Sequence, residues 1–213
     1  MRRGGPASVV ASLALLAALG GCLGAAPPVP RDHYYRIVVP APQTSPVVRF
    51  PGVVSVAPLE ADGLLRERPV LFSASGRIHQ MQQHDYHYWT DPPPRMLQTQ
   101  LVDYLRGSGV AGAVVTPELR LEADYAVTGR VKRLERLLGG GTPRVAAELE
   151  LAMIETGTNR LIVVETYAAE RPAGDEGVGS SILALNQALA EIFARFLADA
   201  GQRYTALRPA VPD

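Results

Sequence analysis

Of 213 residues only one is a cysteine, Cys22, so no disulfide can form within the chain. Lysine is as scarce: Lys132 stands alone, and nearly all positive charge is arginine. Basic and acidic side chains number 21 each, and no basic patch invites nucleic acid. Signatures of catalysis are missing too. No Gly-x-Ser-x-Gly elbow surrounds Ser73, Ser75, Ser180 or Ser181. Gly139-Gly140-Gly141 is followed by Thr-Pro, not Lys-Ser/Thr, which excludes a nucleotide phosphate loop there. Acidic residues are scattered over faces that read as wet. These absences argue against an enzyme and against ATP hydrolysis by this chain.

What is present begins at the N-terminus. Arg2 and Arg3 precede an apolar run from Val9 to Leu19, and small residues lead on to Cys22. This is the pattern of a secretory signal peptide. The run falls short of the roughly 17–25 residues that cross a bilayer. Leu19-Gly20-Gly21-Cys22 resembles a bacterial lipobox, with Gly20 where Ala or Ser is usual. The pattern implies cleavage before Cys22, a diacylglycerol on its sulfur and an acyl chain on the new amine. Each buried CH2 contributes about 0.8 kcal/mol, so two or three chains make a permanent anchor where one holds marginally. The alternative is ordinary secretion with cleavage near Gly24-Ala25-Ala26, which would discard Cys22. Leu23, not Asp, follows Cys22; by the sorting rules of Gram-negative cells this implies the inner leaflet of the outer membrane. Losing Arg2 and Arg3 turns the formal balance from zero to −2.

The expected organisation is a signal peptide over 1–21, a Pro-rich extended tether over 22–32, a single domain over 33–207 and a tail over 208–213. The expected fold class is α/β (α+β): a mostly antiparallel mixed sheet with two main helices packed on it. Strands are predicted over 33–39, 47–59, 68–75, 77–83 and 110–117. A long meander follows over 121–137, 144–155 and 160–170, with Gly139-Gly140-Gly141 and Thr156-Gly157-Thr158-Asn159 as turns. Tyr125, Val127, Gly129 and Val131 share one face of the first meander strand, and Thr128, Arg130 and Lys132 the other. Glu148 and Glu150 are expected across from Arg130 and Lys132. The polar strand 77–83 reads as an edge or an exposed hairpin leg.

The stretch His79–Leu101 holds three of the four histidines, the only tryptophan and three consecutive prolines. Its second half reads as a helix, with Met96, Leu97, Leu101, Tyr104 and Leu105 at helical spacing, Asp91 as N-cap and Gly107 and Gly109 as the stop. A second helix is predicted over 178–201, with Ile182, Leu185, Leu189, Ile192, Phe193 and Phe196 as its stripe, Ser180 or Ser181 as cap and Gly201 as its end. The tail after it reads as a short strand or loose chain. His84 and His87 are three apart, which on a regular strand points them to opposite faces. With no Cys or Glu cluster to complete a set, exposed hairpin histidines are the better account than a metal site.

One series of residues carries a family resemblance. After the lipobox come Tyr34-Tyr35-Arg36-Ile37, then Val53-Val54-Ser55-Val56-Ala57-Pro58-Leu59 and Leu64-Leu65-Arg66-Glu67-Arg68-Pro69-Val70-Leu71. A polar hairpin, Trp89 opening a helix, the meander and an amphipathic C-terminal helix complete the order. The chain thus resembles the ABC-type transport auxiliary lipoproteins (PqiC-like) over about residues 33 to 200. Arg68-Pro69 with Trp89 some twenty residues later is the most specific part, and Asp91-Pro92-Pro93-Pro94 is richer in proline than the family pattern. The resemblance implies a lipid-anchored periplasmic partner of MCE-domain proteins and an ABC permease and ATPase that move phospholipids between membranes. It acts by docking, without cofactor or metal; a homo-oligomer is compatible with a conduit. Contact candidates are Leu64, Leu65, Tyr86, Tyr88 and Trp89. For Trp89 the competing role is a plug against the first helix, and for Leu64 and Leu65 a buried loop anchor. Two other roles stand beside docking: a scaffold lipoprotein of a secretion or lipopolysaccharide-assembly machine, and direct lipid carriage, which requires an apolar cavity between sheet and helix.

Overall fold

A single long strand, β7 (Tyr125–Leu138), has a partner along both of its edges. The computed structural model describes residues 29–42 and 50–208, apart from Ser75 and Ile78. The signal peptide, Cys22, most of the tether, positions 47–49 of the second predicted strand and the last five residues lie outside the described residues.

On one side β7 pairs antiparallel with β8 (Arg144–Glu155), which pairs antiparallel with β9 (Arg160–Pro172). The reversal from β7 to β8 needs left-handed backbone, supplied by Gly139 (φ 80°) and Gly141 (φ 100°). On its other edge β7 is met in parallel by three successive segments: β2 (Phe50–Val56), β3 (Glu60–Ala61) and β4 (Pro69–Ala74). The chain from 50 to 74 therefore runs once along the length of β7. It breaks after Val56 and again at a 3-10 turn, Gly63–Arg66. β4 turns back into β5 (Met81–Trp89), β1 (His33–Tyr35) lies parallel to β5, and β6 (Ala111–Val115) lies parallel to β2. The result is a nine-stranded mixed sheet, ordered β1-β5-β4-β7-β2-β6 along its main path.

Two helices pack on this sheet, α1 (Pro93–Ser108) and α2 (Val178–Leu207), touching through Tyr104 and Phe193 at 5.5 Å between ring centroids. The predicted stripe of α2, from Ile182 to Phe196, is buried. The helix is long and apolar enough to cross a membrane, yet that apolar surface is spent against β8 and β9. The described residues from Asp32 to Arg208 belong to one compact unit.

Several boundaries differ from the expectation, each for a local reason. The first strand stops at Tyr35. The chain then leaves β5 and crosses to the helices, where Gln100 Oε1 accepts the Val39 N–H (2.7 Å) and Asn186 Oδ1 the Val38 N–H (3.2 Å). The fourth strand is Met81–Trp89, not 77–83, so the histidine stretch is itself strand. It is a hairpin leg, but the edge beside it belongs to β1. Asp91 does not cap α1. Pro92 is the N-cap, Pro93 and Pro94 have no N–H to donate, and the Arg95 and Met96 N–H groups go to Pro92 O (3.1 and 3.3 Å). Gly109, left-handed at φ 65°, ends the helix as expected of a C-terminal glycine. For α2 the N-cap is Gly177, whose own N–H is taken by the Asp175 carboxylate at 2.6 Å, and neither Ser180 nor Ser181 caps it.

Gly201 does not end α2 either. It is buried within the helix, and Gln202–Leu207 continue helical. The extra turns bring Tyr204 onto Phe50 (4.9 Å between centroids) and its hydroxyl within 3.2 Å of the Tyr125 hydroxyl. That contact outweighs the ~1 kcal/mol that glycine costs a helix. Across the meander, Glu150 faces Arg130 in register, but the Arg130 guanidinium turns to Asp62 (2.7 Å) and Glu60 (2.6 Å), while Lys132 reaches Glu148 at 3.6 Å.

Gly129 sits where no side chain fits. A Cβ there would lie 2.5 Å from the Glu150 carbonyl oxygen and 2.7 Å from Leu151 Cδ2. The first is backbone of the paired strand and cannot yield without opening the ladder. Gly129→Ala is expected to cost about 2 kcal/mol, read as a lowered urea midpoint; an unchanged midpoint would show that β7 and β8 separate freely at this point.

Candidate functional site

The histidine stretch forms a bulge. Pro69 of β4 pairs with Tyr88, and Leu71 with Gln83, so β5 has extra residues between the two ladders. Tyr86 absorbs the excess in a left-handed conformation, φ 61°. This resets the alternation of side chains. His84 and His87, expected on opposite faces, meet with ring centroids 5.8 Å apart. His33 of β1 stacks on His87 at 5.1 Å, and Tyr34 lies 5.9 Å from Tyr88.

Beneath the bulge lies Arg136, 4% exposed. Its Nε donates to Ser181 Oγ (2.9 Å), one terminal nitrogen to the Glu176 carbonyl (2.7 Å) and the other to His84 Nε2 (2.8 Å). A guanidinium cannot accept, so His84 Nε2 is the bare nitrogen and Nδ1 holds the proton. Burial, then the Arg136 charge, then His87 hold the His84 imidazole down at about 4, against a weaker pull upward from Asp85. His87 is also lowered, by burial first and then by His33 and Arg136. Its Nδ1 shares a 2.8 Å hydrogen bond with the Tyr35 hydroxyl. The rings thus meet by faces and edges, with His84 Nε2 and His87 Nδ1 committed to other partners. Among the described residues no group of three or more His, Cys, Asp or Glu is placed to hold a metal.

The end of β5 is clamped. Arg68 O accepts the Trp89 N–H (2.7 Å), and Arg68 Nε donates back to Trp89 O (3.0 Å). The Arg68 guanidinium also lies 5.5 Å from the centre of the Tyr34 ring. The Trp89 indole is 1% exposed, as a plug and not a contact surface. Leu65 is likewise buried at 8%, in a turn that packs on α1 and β7. Leu64 in the same turn and Tyr86 at the bulge apex remain exposed, at 37% and 39%, and Tyr88 is half-buried. The accessible aromatics are therefore Tyr34 and Tyr86, with half-buried Tyr88 against Tyr34, and Leu64 lies on a separate element. Tyr34 escaped sequence reasoning because nothing local signals that β1 pairs with a strand fifty residues on.

Where the chain leaves β1 and where α1 begins, a cavity of about 320 Å3 opens to the surface. Arg36, Asp91 and Arg95 line it above Ile37 and Met96. Between the sheet and the helices, among the described residues, Phe50, Val54, Leu105 and Phe196 help line a far smaller void of about 10 Å3. That is room for about one water at most and not for an acyl chain.

A family model described as an ABC-type transport auxiliary lipoprotein component matches residues 35–196. Among solved structures, a Xanthomonas campestris protein of the DUF330 family shares the fold with TM-score 0.72 and 18% identity, over 82% of this chain and 98% of that one. An uncharacterized protein follows with TM-score 0.62 and 16% identity, over 79% of this chain and 97% of that one. No curated protein matches the sequence.

Proposed function

Because the chain belongs to the family of ABC-type transport auxiliary lipoprotein components, we propose that it is anchored through acylated Cys22 at the inner leaflet of the outer membrane. There it docks an MCE-type carrier of an ABC phospholipid transport system. The role is binding, without chemistry of its own. The observation that carries it is a set of tyrosines on two paired strands, exposed Tyr34 of β1 against half-buried Tyr88 of β5 and exposed Tyr86 at the bulge, with the end of β5 held by the Arg68–Trp89 clamp. Tyrosines on a fixed scaffold offer contact area at little entropic cost. Tyr86 stays in a left-handed conformation that glycine would adopt more readily, and its ring faces water.

Two substitutions test the two halves of the proposal. Wild-type protein from native membranes is expected to show acyl mass at Cys22, and Cys22→Ala to lose that mass and to retain residues 1–21 uncut. An unmodified wild-type N-terminus would end the anchor. Tyr86→Gly relieves the backbone and is expected to leave the urea midpoint unchanged or slightly raised, while a carrier that co-purifies with wild type in mild detergent is lost. Retention of the carrier by Tyr86→Gly, or no MCE or ABC component with wild type, would overturn the docking assignment.

A further inference from the structure

The cavity at the start of α1 has features that the docking role does not use. Most arginines of the described chain are engaged: Arg130, Arg133, Arg144, Arg160, Arg171, Arg203 and Arg208 with carboxylates, and Arg68, Arg106 and Arg195 with backbone carbonyls. Arg36 and Arg95 are not, nor are Arg31, Arg77 and Arg120, but only Arg36 and Arg95 line this cavity. Among the described residues neither guanidinium makes an ion pair or a hydrogen bond, and the Asp91 carboxylate has no partner either. All three are exposed side chains lining one concavity. Glu118 feels Arg95, but only as the last influence on its carboxyl, after the Thr116 hydroxyl and its own N–H and against a small effect of burial.

Among the described residues, several other polar groups of the wall are already engaged, although the Gln100 amide nitrogen is not. The Thr90 hydroxyl points to Met96 Sδ (3.6 Å), the Thr99 hydroxyl to the Arg95 carbonyl (3.1 Å), and Gln100 holds the Val39 N–H. The helix start adds little, because Pro93 and Pro94 carry no N–H and the next two N–H groups bond to Pro92 O. An anion in this cavity is therefore held by guanidinium groups, not by backbone dipoles. The floor is apolar: Ile37 and Met96 are both buried.

Two cations and one anion around an apolar floor complement a ligand with one negative group, a neighbouring positive group and a short hydrocarbon portion. We propose that this cavity binds a phosphodiester bearing a primary ammonium, the headgroup chemistry of phosphatidylethanolamine. Arg36 and Arg95 hold the phosphate, Asp91 holds the ammonium, and Ile37 and Met96 carry the glycerol carbons. The cavity suits a headgroup in size, and the void lined by Phe50, Val54, Leu105 and Phe196 is too small for an acyl chain. The domain thus reads the polar end of a lipid and leaves its tails outside. This goes beyond docking, and the two roles rest on different residues.

The test uses the full-length protein in lipid-free detergent, titrated with glycerophosphoethanolamine, glycerophosphoglycerol and inorganic phosphate, and followed by backbone amide resonances of residues 90–100. Glycerophosphoethanolamine is expected to bind most tightly. Arg36→Gln and Arg95→Gln should each weaken it at least fivefold. Asp91→Asn should weaken glycerophosphoethanolamine about threefold or more and strengthen glycerophosphoglycerol, because the anion that repels a purely negative ligand is gone. Each of these exposed substitutions should leave the urea midpoint unchanged. Phosphate binding as tightly as glycerophosphoethanolamine would overturn the proposal, as would Asp91→Asn acting alike on both diesters, or no response in residues 90–100. A second arm compares vesicles of phosphatidylcholine with and without phosphatidylethanolamine: selective binding assigns the membrane lipid, and binding to the soluble diester alone assigns a released headgroup. Arg95→Gln keeps the carrier and loses the headgroup, whereas Tyr86→Gly does the reverse, so failure of one role is distinct from failure of the other.

Discussion

Trp89→Ala is expected to lower the stability of the domain by about 3–5 kcal/mol, the loss typical of truncating a buried large aromatic. The indole is sealed at the junction of β5 and α1, and its backbone is bonded in both directions to Arg68. Removing it leaves a void that the clamp prevents from collapsing, because Thr90 N is also tied to Tyr35 O at 2.9 Å. Urea unfolding followed by circular dichroism measures the loss. Trp89→Phe refills much of the space and should cost less than half as much. A loss under about 1 kcal/mol for Trp89→Ala would mean that the junction rearranges and that the spacing of Arg68-Pro69 and Trp89 is not structural.

Arg136→Ala is expected to cost about 3 kcal/mol, since one buried acceptor, Ser181, and two part-buried ones lose a charged donor at once. The Ser181 hydroxyl, the Glu176 carbonyl and His84 Nε2 all sit at the approach of α2 to the sheet. Fluorescence of the sole tryptophan, Trp89, reports the unfolding. The same network sets a pH dependence. His84 binds its proton at about 4 in the folded chain, against an ordinary value of 6.5. Between those values the unfolded chain binds more protons, so stability rises with pH. The contribution is complete above about pH 6.5, declines as the pH falls towards 4 and is then exhausted. Its size is of order 2 kcal/mol, less than the full shift implies because the ring is only half-buried. His84→Gln retains an acceptor without titrating and should flatten that part of the pH profile. Below it, loss of stability belongs to Glu155, whose carboxyl is held near 2 by the Thr158 hydroxyl first, then by Arg208 and Arg160. An unaltered slope between pH 4 and 6.5 in His84→Gln would show that His84 is not the group responsible.

The legible elements were those whose signal is local. Alternation in Tyr125–Val131 and Val145–Met153 placed the meander, and the 3.6-residue stripe from Ile182 to Phe196 placed the buried face of α2. The burial of Trp89 followed from its position ahead of a helix start. What failed depended on groups distant in the chain. Asp91 has the right chemistry for a cap, but the following prolines leave it no donor. Gly201 carries a stop signal that the packing of Tyr204 overrides. His84 and His87 were assigned by parity, and one left-handed residue between them, Tyr86, reversed the outcome.

The sequence by itself determined the periodic elements and the membership of the family, because each is written in neighbouring residues. Tertiary structure alone decided which side chains face one another. It laid three short strands along β7, brought the His33, His84 and His87 rings together beside Arg136, and gathered Arg36, Asp91 and Arg95 around one cavity. The reason is that such meetings join positions tens of residues apart, and their geometry depends on strand register, which one bulged residue can reset.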